Sequence, residues 1–329
     1  PMKTVHAFER QSIDELYRWF ASETAPTSAI WTRLCLWVAD HPEVNRRLDP
    51  LPGLKRQPNL FLGALKYLGA PVEPGPTFAA WIDHHWDAVE RVIMSRFTQT
   101  NEPGRCAVLA PMLASLPQPI TLLEVGPSAG LCLLPDRYRY DLGDGVAAPQ
   151  AATPDAPLMV SKVDGTPPGD VRSLAVAARA GLDANPLDAA DPDDVRWLRS
   201  LVWPGEDARE SRLAACLAVG ASESLTLMKG DLRTDLDRLF SLVKPGTTPV
   251  VQHSATLAYL PREDRDAFEA SVRSAGVHWL SFEGPSVMTS IKNRLTDRDA
   301  WDDTPNFVVA LDGQPIGRAS AHGGWVRWY

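Results

Sequence analysis

The chain has 329 residues, 44% of them hydrophobic, enough for a sizeable core and for more than one compact unit. Its formal net charge of −8, from 33 basic and 41 acidic residues, argues against a general nucleic-acid or membrane-surface binder. Four well-separated cysteines (Cys35, Cys106, Cys132 and Cys216), no apolar run near the ~18 residues that span a bilayer, and no apolar signal core after Pro1-Met2-Lys3 predict a cytoplasmic protein with reduced thiols.

Residues 12–117 read as helical. Ser12-Ile-Asp-Glu15 has the spacing of a capping box, in which Ser and Glu satisfy each other's free backbone donors, and Leu16, Trp19 and Phe20 follow on one face. A second helix from Pro26 carries Ile30, Leu34, Trp37 and Val38; a third spans 59–68 and a fourth 77–97. These stripes have helical period and read as core. The polar run Thr98-Gln99-Thr100-Asn101-Glu102-Pro103-Gly104-Arg105 then precedes a further apolar helix. Such a run either caps a helix or folds over a pocket with Asn101, Glu102 or Arg105 against a ligand. His84 and His85 are adjacent on a helix and face different directions, and no cluster has ligand spacing, so no metal site is expected.

From residue 119 the texture changes. Strands are expected near 120–125, 173–182, 225–228, 250–253 and 277–282, with helices near 129–134, 193–201, 209–219, 234–240 and 262–275. That alternation predicts a mostly parallel sheet with right-handed crossovers. The tail 306–329, with turn signals at Asp312-Gly313 and Gly323-Gly324, predicts an antiparallel meander. The expected organisation is a helical lid and substrate region over 1–118 and an α/β domain over 119–329. Residues 136–172 form an insertion in it.

The most informative segment is Glu124-Val-Gly126-Pro127-Ser128-Ala129-Gly130, after the first apolar strand. Glycines there let backbone approach a ligand, and a following helix would aim free N–H groups at an anionic end. Gly-x-Ser-x-Gly is also the nucleophile-elbow pattern of serine hydrolases, but an elbow serine follows a late strand rather than the first. In an open parallel sheet, ligands bind at the carboxyl ends of strands near the switch point. The expected strands end at Glu124, Asp183, Asp231, Gln252-His253-Ser254 and Glu283. Asp183 after the second strand suits a pair of ribose hydroxyls, with Asp141 as its rival, and Asp231 after the third suits an adenine amino group. Taken singly, each aspartate reads equally as a cap or turn residue. His253 is the acid/base candidate, with Tyr259 and Glu283 behind it; the alternative for His253 is a packed core ring.

The turn resembles the Glu/Asp-x-Gly-x-Gly-x-Gly opening of class I S-adenosylmethionine-dependent methyltransferases, with Ser128 at the middle glycine. Nearly the whole chain also resembles the bacterial, largely actinobacterial, proteins grouped as domain of unknown function 2332. The resemblance rests on Thr98-Gln-Thr-Asn-Glu-Pro-Gly-Arg-Cys, Leu122-Leu-Glu-Val-Gly-Pro-Ser-Ala-Gly-Leu, Asp136-Arg-Tyr-Arg-Tyr-Asp, Ala180-Gly-Leu-Asp-Ala-Asn-Pro and His322-Gly-Gly-Trp-Val. It implies a methyltransferase-like fold and assigns no chemistry. Two positions depart from the family pattern: Pro127, where a small residue is usual, and Cys132, where an asparagine is. Pro127 removes a loop N–H.

Together these readings predict a class I methyltransferase-like α/β fold with an N-terminal helical region. S-adenosylmethionine is the expected cofactor, held by Glu124, Gly126, Ser128, Gly130, Asp183, Asp231, Asn101 and Arg105. A small-molecule acceptor is the expected partner, with His253, Tyr259 and Glu283 as catalytic candidates. No nucleic acid or membrane is expected, and a homodimer is compatible with the sequence. The alternatives are the same fold running a cyclisation, elimination or isomerisation, or a non-catalytic binding protein.

Overall fold

The computed structural model describes residues 11–296 and 306–329, so the reading of residues 1–3 lies outside them. In chain order the helices are α1 (Ile13–Thr24), α2 (Ala29–Ala39), α3 (Pro42–Leu48), α4 (Pro58–Leu68), α5 (Pro76–Ser95), α6 (Cys106–Ala114), α7 (Pro192–Ser200), α8 (Asp207–Ser222), α9 (Leu236–Phe240), α10 (Arg262–Ala275) and α11 (Thr289–Lys292). The strands are β1 (Ile120–Val125), β2 (Arg139–Asp141), β3 (Val146–Ala147), β4 (Leu158–Val160), β5 (Lys162–Asp164), β6 (Val176–Asp183), β7 (Thr226–Lys229), β8 (Thr248–Ser254), β9 (His278–Glu283), β10 (Phe307–Leu311), β11 (Gln314–Ala319) and β12 (Trp325–Trp328). The described residues form two compact units, one of residues 101–190, 215–296 and 306–329, the other of residues 11–100 together with 191–214. The division therefore falls at residue 100 rather than 118. Every residue of α6 is buried, and this helix packs on β4 and on the turns at 135–137 and 171–173, inside the sheet unit.

In the helical unit, prolines fix where elements start. Pro42, Pro58, Pro76 and Pro192 open α3, α4, α5 and α7 at a position whose N–H has no intrahelical partner, so its loss costs nothing. Ser28 caps α2 by accepting from Trp31 N at 3.3 Å, which sets the start at Ala29 instead of Pro26. The expected capping box at Ser12 does not form. Ser12 makes no cap bond; its hydroxyl, beside Asp14, holds that carboxyl below the usual carboxylate range. The core is aromatic: Tyr17 meets Phe61 edge-on, and Phe20 and Trp31 both pack on Trp203. Gly63 lets α4 close on the end of α7, where a Cβ would lie 2.8 Å from Leu201 Cδ2.

The sheet unit is built on a nine-stranded sheet of order β5-β12-β11-β10-β9-β8-β1-β6-β7. From β7 through β6, β1 and β8 to β9 all neighbours are parallel. β10, β11 and β12 then form the expected antiparallel meander, and β5 pairs parallel with β12 at the edge. The chain leaves β1 toward β6 on one side and returns to β8 on the other, so the topological switch lies between β1 and β8. Leu123, Val125, Val251 and Trp279 cover one sheet face and pack with Phe268 and Val272 of α10 and Ile291 of α11. Two short 3-10 turns, Leu131–Leu133 and Pro135–Arg137, replace the helix expected over 129–134. The inserted residues form a separate three-stranded sheet, β3-β2-β4, and Asp141 ends β2 within it, accepting from Gly143 N at 3.1 Å.

Candidate functional site

Gly126 (φ +72), Ser128 (φ +54) and Gly130 (φ +76) all lie in the left-handed region. Glycine is needed at 126 and 130 for that reason and because the adjoining space is taken. A Cβ at 126 would sit 2.4 Å from Thr256 Cγ2, and one at 130 would sit 2.7 Å from Leu225 Cδ1. Pro127 in turn lies on β6, its Cγ 2.5 Å from where a Cβ of Gly181 would be. Four of the turn's donors are engaged by the protein itself. Gly126 N donates to Leu182 O at 2.9 Å, Ser128 N to Asp183 Oδ2 at 2.8 Å, Gly130 N to Pro127 O at 2.8 Å and Leu131 N to Asn101 Oδ1 at 3.3 Å. Asn101 Nδ2 also donates to Pro127 O at 2.7 Å, so its carboxamide closes the turn from both sides.

One expectation is thereby corrected. The turn leads into two short 3-10 turns and not into a helix, so it aims no row of helix N–H groups outward, and its glycines make room for Thr256 and Leu225. Gly126→Ala is expected to destabilise the chain by roughly 2–4 kcal/mol, combining a positive φ with overpacking. Adding Thr256→Gly should recover part of that loss in a double-mutant cycle of urea unfolding. Strict additivity would show that Thr256 is not the obstacle.

Asp183 is the aspartate brought to the turn. Its Oδ1 accepts from Asn185 N at 2.8 Å and its Oδ2 from Ser128 N at 2.8 Å, and it is half-buried. Each oxygen keeps a lone pair. Beside it, Glu124 ends β1 with 3% of its surface exposed. Burial pushes its carboxyl up to about 8 against the pull of Gln252 and Arg105, with Asp183 adding to the rise. Glu124 pairs with Gln252 across β1 and β8, so both side chains share a face. Gln252 Nε2 donates to Cys132 O at 2.9 Å. Glu124 Oε2, Gln252 Oε1 and Ser128 Oγ are buried without a hydrogen-bond partner. Arg105, also buried, donates from Nε to Ala321 O at 3.0 Å and from Nη1 to Ser254 O at 3.1 Å and Ser254 Oγ at 3.2 Å. Its Nη2 makes no hydrogen bond among the described residues.

His253 follows Gln252 and therefore points to the opposite face, where it is fully buried. Its Nδ1 lies 2.8 Å from Glu283 Oε1, and Trp279 Nε1 donates to its Nε2 at 2.9 Å. An indole N–H only donates, so Nε2 accepts and Nδ1 carries the proton. Glu283 Oε1 also accepts from Thr256 N at 2.9 Å and Leu257 N at 3.0 Å. Neither imidazole nitrogen is left for a substrate, which tells against the acid/base role expected of His253, whereas Glu283 Oε2 is buried without a hydrogen-bond partner. The pair ties β8 and β9 to the turn Leu257–Tyr259. Tyr259, on that turn, is 47% exposed. Asp231 stands just past β7 with its carboxylate on Arg233, which donates from Nε to Oδ2 at 2.9 Å and holds that carboxyl below its usual range. It is not offered bare to a base.

The profile of a family described as an uncharacterised protein conserved in bacteria, domain of unknown function 2332, matches residues 14–328. The chain belongs to this family. No curated protein and no solved structure matches it. The family match takes in both compact units and every residue of the site above. Pro127 packs on Gly181, and Cys132 offers its carbonyl to Gln252. Among the described residues no group of three or more His, Cys, Asp and Glu could hold a metal ion, and no helix is long and apolar enough to cross a membrane.

Gln252 and Thr256 were not singled out from sequence. Gln252 was legible by parity, since pairing β8 with β1 in register places it, and not His253, on the face of Glu124. Thr256 carried no such signal.

Proposed function

We propose that the chain binds S-adenosylmethionine at the carboxyl ends of β1, β6 and β8 and transfers its methyl group to a small molecule, with the architecture of a class I methyltransferase. The observation that carries this reading is the unpartnered, buried Oε2 of Glu124 at the switch point, flanked by the half-open carboxylate of Asp183 on the next strand. When bound, this cofactor supplies a methyl group on a sulfonium. Glu124 Oε2 and Gln252 Oε1 are acceptors suited to an ammonium group, and the lone pairs left on Asp183 suit a ribose diol. Four of the turn amides are engaged, and Arg105 Nη2 is a further donor available to an anionic end. Tyr259, exposed on its turn, is the acid/base candidate that retains access to solvent. The parallel order of β7, β6, β1, β8 and β9, closed by an antiparallel meander, supports the same reading.

Calorimetric titration of the full chain with S-adenosylmethionine and S-adenosylhomocysteine tests it. Saturable binding is expected, weakened tenfold or more by Asp183→Ala, the loss of a charge-assisted pair of hydrogen bonds. Absence of binding to both compounds would refute it.

The engaged donors of the turn favour one second reading. Gly126, Ser128, Gly130 and Leu131 all donate within the protein. A site closed in this way suits a cyclisation, elimination or isomerisation on the same fold, and turnover without release of S-adenosylhomocysteine would distinguish it.

A further inference from the structure

We propose that Glu124 is a neutral, protonated carboxyl that donates from Oε2 to Oε1 of Gln252, so that the switch point of the sheet carries a stored proton. Two buried acceptors on neighbouring, same-face positions of β1 and β8 both lack a donor. Turning the Gln252 amide over would offer its NH2 to Glu124, but it would set the amide oxygen against the Cys132 carbonyl that Nε2 now meets at 2.9 Å. One proton on Glu124 satisfies both orphans at once.

Of the groups facing the carboxyl, the amide of Gln252 on β8 favours the anion. Arg105, from the turn before α6, favours the anion, but it is committed to Ser254 and Ala321. Asp183, at the end of β6, disfavours it. The thiol of Cys106 on α6 also faces it, held neutral by burial first and by Cys132 second. Burial pushes Glu124 in the same direction.

A consequence follows for ligands. A cationic amine docking on Glu124 must displace the proton, which leaves to solvent, so binding is coupled to proton release. This coupling rests on the cofactor reading above; the protonated state does not.

Infrared spectroscopy of the full chain without ligand is the direct test. A carbonyl stretch of a protonated carboxyl is expected at mildly acidic pH, absent in the isosteric Glu124→Gln, and fading as pH passes about 8. In Gln252→Met the band should remain and shift, because the proton has lost its acceptor. No such band at mildly acidic pH, or a band unchanged by Glu124→Gln, overturns the proposal. Titration with S-adenosylhomocysteine in two buffers of different ionisation heat reads the coupling. About one proton released per ligand bound below the carboxyl's pKa, and none in Glu124→Gln, supports it. Binding without release overturns it. A band with no binding upholds the stored proton and fails the cofactor reading alone.

Discussion

Replacing Glu283 with leucine is expected to destabilise the sheet unit by roughly 3–5 kcal/mol, the largest single-residue effect the site offers. One carboxylate oxygen accepts from His253 Nδ1 at 2.8 Å, Thr256 N at 2.9 Å and Leu257 N at 3.0 Å. Leucine is close in size but leaves three donors without acceptors, and His253 and Leu257 are buried. The imidazole cannot escape by changing tautomer, because Trp279 already presents an N–H to Nε2 at 2.9 Å. Glu283→Gln keeps an acceptor in place and should cost far less. The comparison separates the acceptor role from the charge. Urea unfolding followed by far-UV circular dichroism reads both, and equal losses in the two variants would mean that charge rather than acceptor geometry anchors the turn. The same variants speak to function: a tie between β8, β9 and the Leu257–Tyr259 turn also holds Thr256 over Gly126.

The elements that were legible in the sequence were those whose signal is local. β1 was bounded by Pro119 before it and Gly126 after it, and its mostly apolar residues, all buried, are what a strand covered on both faces requires. The meander announced itself through Asp312-Gly313, a turn at which both residues have positive φ. α3 was missed because seven residues, mostly charged or polar, show too little periodicity to read. The boundary at residue 100 and the transfer of 191–214 to the helical unit were not legible. They depend on which surfaces α6 and α7 bury, and α6 is apolar on every side. The expected helix after the glycine turn failed for a local reason that was available: Pro135 ends any helix begun at Gly130 within a turn.

The site itself was half legible. Glu124, Asp183, Asn101, Arg105 and the glycine turn do converge, because strands ending in polar residues meet at a switch point whatever the ligand. What a glycine is for was not legible. Positive φ and a missing Cβ look the same in a sequence whether the space is kept for a phosphate or for Thr256 from a distant loop. His253 illustrates the other gap. Residue type alone suggested an acid/base group, whereas the pairing of Glu124 with Gln252 turns the ring to the core, where Trp279 and Glu283 use both nitrogens.

Stability of the wild-type chain relative to Glu124→Gln is expected to fall as pH rises from 4.5 to about 8, by about 1.4 kcal/mol per pH unit and roughly 5 kcal/mol in all. The sign follows from proton counts. Below 4.5 both the folded and the unfolded chain hold the Glu124 proton, and its stabilising contribution is fully present. Between 4.5 and about 8 the folded chain keeps a proton that the unfolded chain has released, so each increment of pH favours unfolding. Above that window the folded protein holds a buried anion and the contribution is lost. Glutamine carries no titrating group, so the difference between the two proteins removes every other ionisation. Asp231, held low by Arg233, acts only below its ordinary 3.8 and leaves the window clear in any case. Urea unfolding of both proteins across this range measures the slope, and a flat difference would place a charged Glu124 in the folded state at neutral pH. A slope of the expected sign has a functional corollary. A group that is expensive to ionise in the empty protein and adjacent to Asp183 and Arg105 becomes an anion at least cost when a cation sits beside it, so the energy stored at the end of β1 is what a ligand amine would release.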